Sequence, residues 1–560
     1  MADNSPWNKV YSGPDYTQVH KMERTVVFLL FIVIVNQRVF CEYVFRSLLY
    51  ENRTDPATRQ LYEFRKDHPK PIGLLTISSG EPVDVRKTIT LNTDIFDNTY
   101  FVDSLLHLDS EVIPERVVHA KGTAAWGYFE VTNDVSKYTK ADVFNGIGKK
   151  TPIVGRFSSV AQNKGGNDLA REAKGLAIKF YTREGNLDYL CLNFPVFSLK
   201  DPEYFKSFAH ILKRNPQTNL VDNTARIDFF SLRPETLHNV LWLLSDYGIP
   251  NGYRKMDAFA IHTYEINNRN GERYFVKFNF RTQQGIENLP SDEAMRISGM
   301  DPDYYNRDLY NAIEKNDYPV WKFEMDVLNF TDILNLNYNP FDVTVLWKKG
   351  TYHTVEIGRI IFNRNPDNMY RVSELSAFNP ANLVPGIPGP IDELFKSRRL
   401  SYGDTQKHRL GANYNRIEVN HPTYVKVYNR DGEPPVEDNM KNAPNYYPNS
   451  FSGPIPYVDA SKPKNKLSLL ESQTVDFQEA AYFYNHVLDN DDQRTRLANN
   501  TVQLLLQNPP FLQQRWINLY YMIDYHLGDE TASLLYRALK YTNTTIVPRK
   551  ILRVPRDKCY

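Results

Sequence analysis

"TPIVGRFSSV", Thr151 to Val160, puts Ile153, Gly155 and Phe157 on one face of an extended chain and Val154, Arg156 and Ser158 on the other. That period of two, with its β-branched and aromatic content, predicts a strand. Three more stretches share the pattern: "GYFEVT" (Gly127–Thr132), "KGLAIKFYT" (Lys174–Thr182) and "RYFVKFNFRT" (Arg273–Thr282), each bounded by Gly, Asn or Asp. Such runs read as antiparallel strands of a barrel or sandwich. Helical spacing interrupts them in "RPETLHNVLWLLSDYGI", where Leu237, Leu241 and Leu244 share a side and Gly248 is the expected stop. The middle of the chain is therefore α+β.

Beyond it, Arg430 to Lys466 is crowded with Pro, Asn, Gly and Asp and has no period, as expected of an arm crossing a surface. Leu512, Trp516, Leu519, Tyr520, Ile523 and Leu527 then form one stripe of a helix expected to open after Pro509 and Pro510 and to stop at Gly528. The expected organisation is an N-terminal arm over 1–60, a β-rich core over 61–429, the arm over 430–470 and a helical subdomain over 471–560.

The 560 residues are enough for a sizeable core, and an aromatic fraction of 13% favours an interior able to stack against a large planar ligand. Lys and Arg number 67 against 66 Asp and Glu, so the net charge of +1 supplies no field for a polyanion, and no nucleic-acid partner is expected. Three scattered cysteines exclude a disulfide framework and a zinc site at cysteine. Arg24 precedes an uncharged apolar run, Thr25 to Val35, too short to span a bilayer but long enough for the core of a signal peptide. The segment 22–41 is thus expected to direct the chain to the secretory path, with Met22 an alternative start. No peroxisomal or retention address closes the chain at "RDKCY", and no stable membrane span is expected.

In "SRRLSYGDTQKHRLG", Ser397 to Gly411, a continuing helix places Arg398 and Tyr402 four residues apart on one face, with Arg409 seven further on. Fixed positive charge beside a phenol favours the phenolate, a hard anionic ligand. A Tyr402 packed in the core beside solvated bases has the same spacing. A second constellation lies upstream in "RVVHAKGTAAWGYFEVT", where His119 precedes a strand, and in "GRFSSV", where Arg156 and Ser158 share a face.

Taken together these segments resemble the haem catalases from about Glu111 to Gly453, through "KRNPQTNL", "DPDYYNRDLYNAI", "NPFDVT", "FNRNPDNMY", "RRLSYGDTQKHRLGANY" and "APNYYPNSFSGP". The resemblance implies an antiparallel eight-stranded β-barrel with an N-terminal arm, a wrapping loop and a C-terminal helical subdomain. It implies haem b as cofactor, hydrogen peroxide as substrate and a homotetramer. By its match, His119 is the distal acid/base, Tyr402 the iron ligand and Arg398 the group that holds it as phenolate. Arg116, Arg156 and Arg409 match the arginines that pair with haem propionates, Ser158 the hydroxyl that orients His119. Val118, Phe197 and Phe205 match apolar groups lining the distal side.

The chain departs from the family where a distal asparagine is expected: the run reads "LNFP", and the position is Leu192. A one-residue slip on a strand reverses the face, so the role does not pass to Asn193 unless a bulge over Cys191–Pro195 re-aims it. A catalase of reduced rate is expected. Leu176 and Ser198 also replace bulkier groups, so a reshaped channel is expected. Of the family's NADPH contacts His238, Ser245 and Trp347 match, whereas Tyr247, Asp257, Phe259 and Lys349 do not, and NADPH binding is expected to be weakened. Two rival readings are a haem peroxidase acting on organic hydroperoxides and a non-catalytic haem-binding protein.

Overall fold

Strands β1 (Gly122–Val131), β2 (Lys150–Ser159), β3 (Lys174–Thr182) and β4 (Gly185–Leu192) form a consecutive antiparallel meander, as their alternation dictates. β4 then pairs with the short β5 (Ala258–Phe259), which pairs with β7 (Arg273–Thr282). β7 pairs with β8 (Val320–Asn329), β8 with β9 (His353–Arg364) and β9 back with β1, so eight strands close on themselves. The short β6 (Tyr264–Asn267) and β10 (Gly389–Pro390) extend the sheet from β7. In a computed structural model of the chain, residues 56–88, 97–434, 437–463, 467 and 477–541 are described. The signal-like segment 22–41 lies outside them.

The barrel interior is filled by the inward set of each strand. Phe129, Phe157, Phe180, Tyr189, Phe278, Phe280 and Phe323 are all within 1% of full burial. Their rings meet mostly edge to face, as between Phe129 and Phe180 at 5.5 Å, the arrangement favoured by the ring quadrupole. The barrel is thus a packed core, and the outward set, including Arg156 and Ser158 of β2, is free to build a site.

Two compact units divide the chain at Asp109/Ser110. In the first, helices run over Pro56–Asp67 and from Thr99, and Ser78 Oγ lies 2.6 Å from His107 Nε2. The second holds the barrel and the C-terminal helices Asp491–Leu505, Pro510–Ile523 and Tyr525–Tyr541. Leu512, Trp516, Tyr520 and Ile523 are buried against Leu237 and Leu241, whose own helix ends at Leu244. The stripe does not continue to a stop at Gly528. Asp524 is extended (φ −156, ψ 137), ends one helix, and its carboxylate accepts from His526 N at 2.8 Å to start the next. Gly528 falls inside that next helix, where a Cβ would come within 2.6 Å of the Tyr521 ring. The described residues of the arm, 430–434, 437–463 and 467, lie in neither helix nor strand, and no helix among the described residues is long and apolar enough to cross a membrane.

Candidate functional site

One cavity lies outside the barrel wall, between β2–β4 and the helix Glu393–Leu410, with about 1520 Å³ of empty space, including the part open to solvent. Arg116, Val118, His119, Arg156, Ser158, Leu192, Phe197, Phe205, Arg398 and Tyr402 all line it. Arg409 stands just outside the lining, donating to Gln406 Oε1 at 3.0 Å, and Gln406 does line it.

On the distal side, His119 adopts φ +63, a left-handed conformation uncommon for any residue but glycine. Its backbone is pinned from three directions: its N–H donates to Val160 O at 2.9 Å, its carbonyl accepts from Arg156 Nη1 at 2.7 Å, and Arg156 Nη2 holds the next carbonyl at 3.0 Å. The ring lies 2.9 Å from Ser158 Oγ through Nδ1 and sits over Gly175, where a Cβ would come within 2.7 Å of the imidazole. Desolvation, then the charges of Arg156, Arg116 and Arg398, push the His119 pKa down to about 3. The imidazole is therefore neutral and able to accept a proton.

On the proximal side, Asp392 caps the helix by accepting from Phe395 N at 2.9 Å. One turn on, Arg398 donates to Tyr402 Oη at 3.2 Å. Sequence reasoning missed what stands behind it. Arg398 Nη1 is 2.6 Å from His262 Nε2, and His262 Nδ1 is 3.0 Å from Asp392 Oδ2. Arginine only donates, so Nε2 accepts and the Nδ1 proton is donated to Asp392. Burial lowers the His262 pKa, keeping it neutral. Burial alone would lower the Arg398 pKa as well, but Tyr402, Tyr264 and Asp392 raise it above its ordinary value. His262 precedes β6 as a lone histidine more than a hundred residues from its partners, and no local pattern marks it.

At one edge Arg116 donates to the carbonyls of Ser373 at 2.7 Å and Ser376 at 2.9 Å, and Arg409 to that of Glu374 at 2.8 Å. The Glu374 carboxylate is 3.9 Å from Arg116, 4.0 Å from Arg156 and 3.6 Å from Lys164. One carboxylate thus faces three cations, and Arg116 Nη1 is buried with no hydrogen-bond partner. Desolvation, then Arg156 and Arg409, drive the Arg116 pKa well below its ordinary value. Further acidic groups at this edge would relieve that repulsion and satisfy the orphaned donor. A phenol oxygen for iron, an apolar slot and spare guanidiniums at one rim fit a planar dicarboxylate iron porphyrin.

The alternation of β4 settles the two candidates for a distal amide. Leu192 pairs with Gly175 in register and faces the cavity, packing with Phe197 beside Ile261, Val343 and Leu394. Asn193 is turned away and engaged at both ends: its Oδ1 accepts from Lys174 N at 2.8 Å and its Nδ2 donates to Tyr247 O at 3.1 Å. No bulge re-aims it.

The groups matched to NADPH contacts are also committed within the protein. His238 Nδ1 is 2.9 Å from Thr344 O, Ser245 Oγ donates to Trp242 O at 2.8 Å and Trp347 Nε1 to Pro340 O at 2.8 Å. All three side chains are at most 6% exposed, and Asp257 is paired with Arg281 at 3.0 Å. These residues do not fit an anionic dinucleotide.

Residues 76–453 match the family model "Catalase". The catalase of Rattus norvegicus is 41% identical over 493 residues, covering 86% of this chain and 93% of that protein. The catalase of Methanosarcina barkeri is 43% identical over 479 residues, covering 83% and 95%. Catalase A from Saccharomyces cerevisiae superposes with a TM-score of 0.78 at 32% identity, over 83% of this chain and 99% of that one. A bacterial catalase gives 0.79 at 32% identity over 84% and 97%.

Proposed function

The chain belongs to the catalase family, an enzyme family that decomposes hydrogen peroxide to water and oxygen, and from that premise we propose that the cavity binds haem b and works at reduced rate. The observation that carries the reading is that Tyr402 with Arg398, on the helix, and His119 with Ser158, at the barrel wall, line one cavity.

Bound there, haem supplies the redox chemistry that breaks the O–O bond of one peroxide and oxidises a second to oxygen. Tyr402 Oη is the group that would hold its iron, with Arg398, backed by His262 and Asp392, keeping positive charge beside that oxygen. Arg116, Arg156 and Arg409 would hold its propionates. Neutral His119 takes a proton from the near peroxide oxygen and returns it to the far one, so that water can leave. Ser158 fixes the ring for both transfers. Val118, Phe197 and Phe205 exclude bulk water. Leu192 supplies no hydrogen bond to the bound peroxide, and loss of one preorganised donor commonly costs on the order of 10² to 10³ in rate.

The apolar patch of Leu192, Phe197 and Ile261 supports a second reading, peroxidase action on organic hydroperoxides, whose alkyl groups it would accept. Both readings carry weakened NADPH binding, through Tyr247 and Asp257. Exposed Phe451, Ile455, Tyr457 and Val458 on the arm support a homotetramer. Entry to the secretory path rests on Thr25–Val35 alone and is tested by N-terminal sequencing of protein recovered from medium.

The deciding experiment is oxygen release from hydrogen peroxide by protein whose spectrum shows ferric haem. Release that vanishes in His119→Ala supports the catalase reading. Haem-loaded protein that releases no oxygen but turns over cumene hydroperoxide with a reducing co-substrate would transfer the function to the second reading.

A further inference from the structure

A site that takes oxidising equivalents from one peroxide holds them until a second arrives. Where they go if none does is set by which oxidisable side chains beyond it can also give up a proton. Past Leu192 the chain leaves the cavity and enters an aromatic cluster: the Phe194 ring is 6.2 Å from Trp242, which is 5.0 Å from Tyr247 and 4.6 Å from Phe483. Trp242 is 7% exposed, and its indole N–H donates to His238 Nε2 at 3.3 Å. Indole can only donate, so Nε2 is a bare lone pair, and the Nδ1 proton goes to Thr344 O. Phe483–Val487, which packs against both rings, is a single turn of π-helix, a rare element that recurs at functional sites.

Other buried oxidisable rings lack this partner. Trp321 and Trp347 donate to the carbonyls of Met256 and Pro340, and Tyr305 to that of Pro250. The hydroxyl of Tyr189 has no partner at all. Tyr138 does meet an imidazole, at 3.0 Å, but His353 is exposed to solvent. An amide carbonyl cannot take up a proton, whereas a neutral imidazole can. A ring that loses an electron becomes a strong acid, and it settles as a neutral radical only where a neighbouring base takes its proton.

We propose that Trp242 is an internal one-electron donor to the haem site and that His238 is the base receiving its proton. The inference rests on the haem reading above. The oxidant is hydrogen peroxide, acting through the cofactor it has oxidised. One electron passes from the indole to that cofactor, which is reduced by one equivalent. The indole N–H bond breaks and its proton moves to His238 Nε2, leaving a neutral indolyl radical beside an imidazolium. When the radical is reduced again the proton returns. Partly exposed Tyr247, edge to face with Trp242, gives the hole a route towards the surface. Burial brings the His238 pKa down to about 4, so the acceptor nitrogen is free at neutral pH.

The test is freeze-quench electron paramagnetic resonance of the haem-loaded enzyme after a small excess of peroxide, with ordinary and with indole-deuterated tryptophan. The expected result is an organic radical signal that narrows on deuteration and is lost in Trp242→Phe. The labelling needs no substitution, so a variant that misfolds does not leave the question open. A signal unchanged by deuteration, or equally strong in a folded Trp242→Phe protein, overturns the proposal. So does the absence of any radical in protein that binds haem and releases oxygen, which leaves the catalase reading standing. Failure to bind haem would overturn both.

Discussion

Leu192 is the residue on which the proposed reduction in rate rests. Leu192→Asn places an amide where the strand already faces the cavity, so oxygen release should rise by a factor on the order of 10². A rate unchanged in the haem-loaded variant would show that the side chain does not limit turnover. His119 depends on an absent one. Gly175→Ala should displace the imidazole, because its new Cβ would lie 2.7 Å from the ring, and oxygen release should fall while the melting temperature changes little. A pH effect belongs at this scale too. His238 has its pKa lowered by burial to about 4, below the unfolded value of about 6.5. Between those values the unfolded chain binds a proton that the folded chain refuses, so stability falls as pH falls, by up to about 1.4 kcal/mol per unit for this one group. Thermal midpoints at pH 7, 6 and 5 should drop less in His238→Gln than in the wild type. The pairing of Arg398 with Tyr402 was legible in the sequence because four residues is one helical turn. The His262 and Asp392 contacts were not, since they depend on chain segments brought together only by the fold.

Among the elements, the helix Glu393–Leu410 does two jobs through one cap. Asp392 caps its first turn with one oxygen and holds His262 with the other. Asp392→Ala should therefore cost the roughly 1 kcal/mol usual for a lost N-cap and also broaden the haem absorbance band as Arg398 loses its support. Asp392→Asn keeps the cap and isolates the second effect. A band unchanged in both would separate Asp392 from the iron ligand. The strands were readable because alternation survives wherever one face is buried. The break at Asp524 was not, because an apolar stripe runs across it: Ile523 and Leu527 are both buried, though they sit on different helices. Burial set the period there, and one extended residue set the boundary.

At the scale of the whole molecule, the apolar side chains of the arm predict assembly. Light scattering of the purified protein should return four times the chain mass, and Phe451→Asp with Ile455→Asp should lower it. A monomeric mass for the unaltered protein would remove the tetramer reading. Barrel closure has a further consequence. β1 must find β9, so Phe129 meets Ile360 across more than two hundred residues, and contacts that distant form slowly. During synthesis the segment bearing His119 emerges long before the segment bearing Tyr402. Until the ring of strands shuts and the late helix docks, the early half has no group to grip an iron. On the haem reading, the order of residues thus acts as a safeguard in biogenesis: a redox-active pigment would be captured only after the helix bearing Tyr402 has emerged and docked.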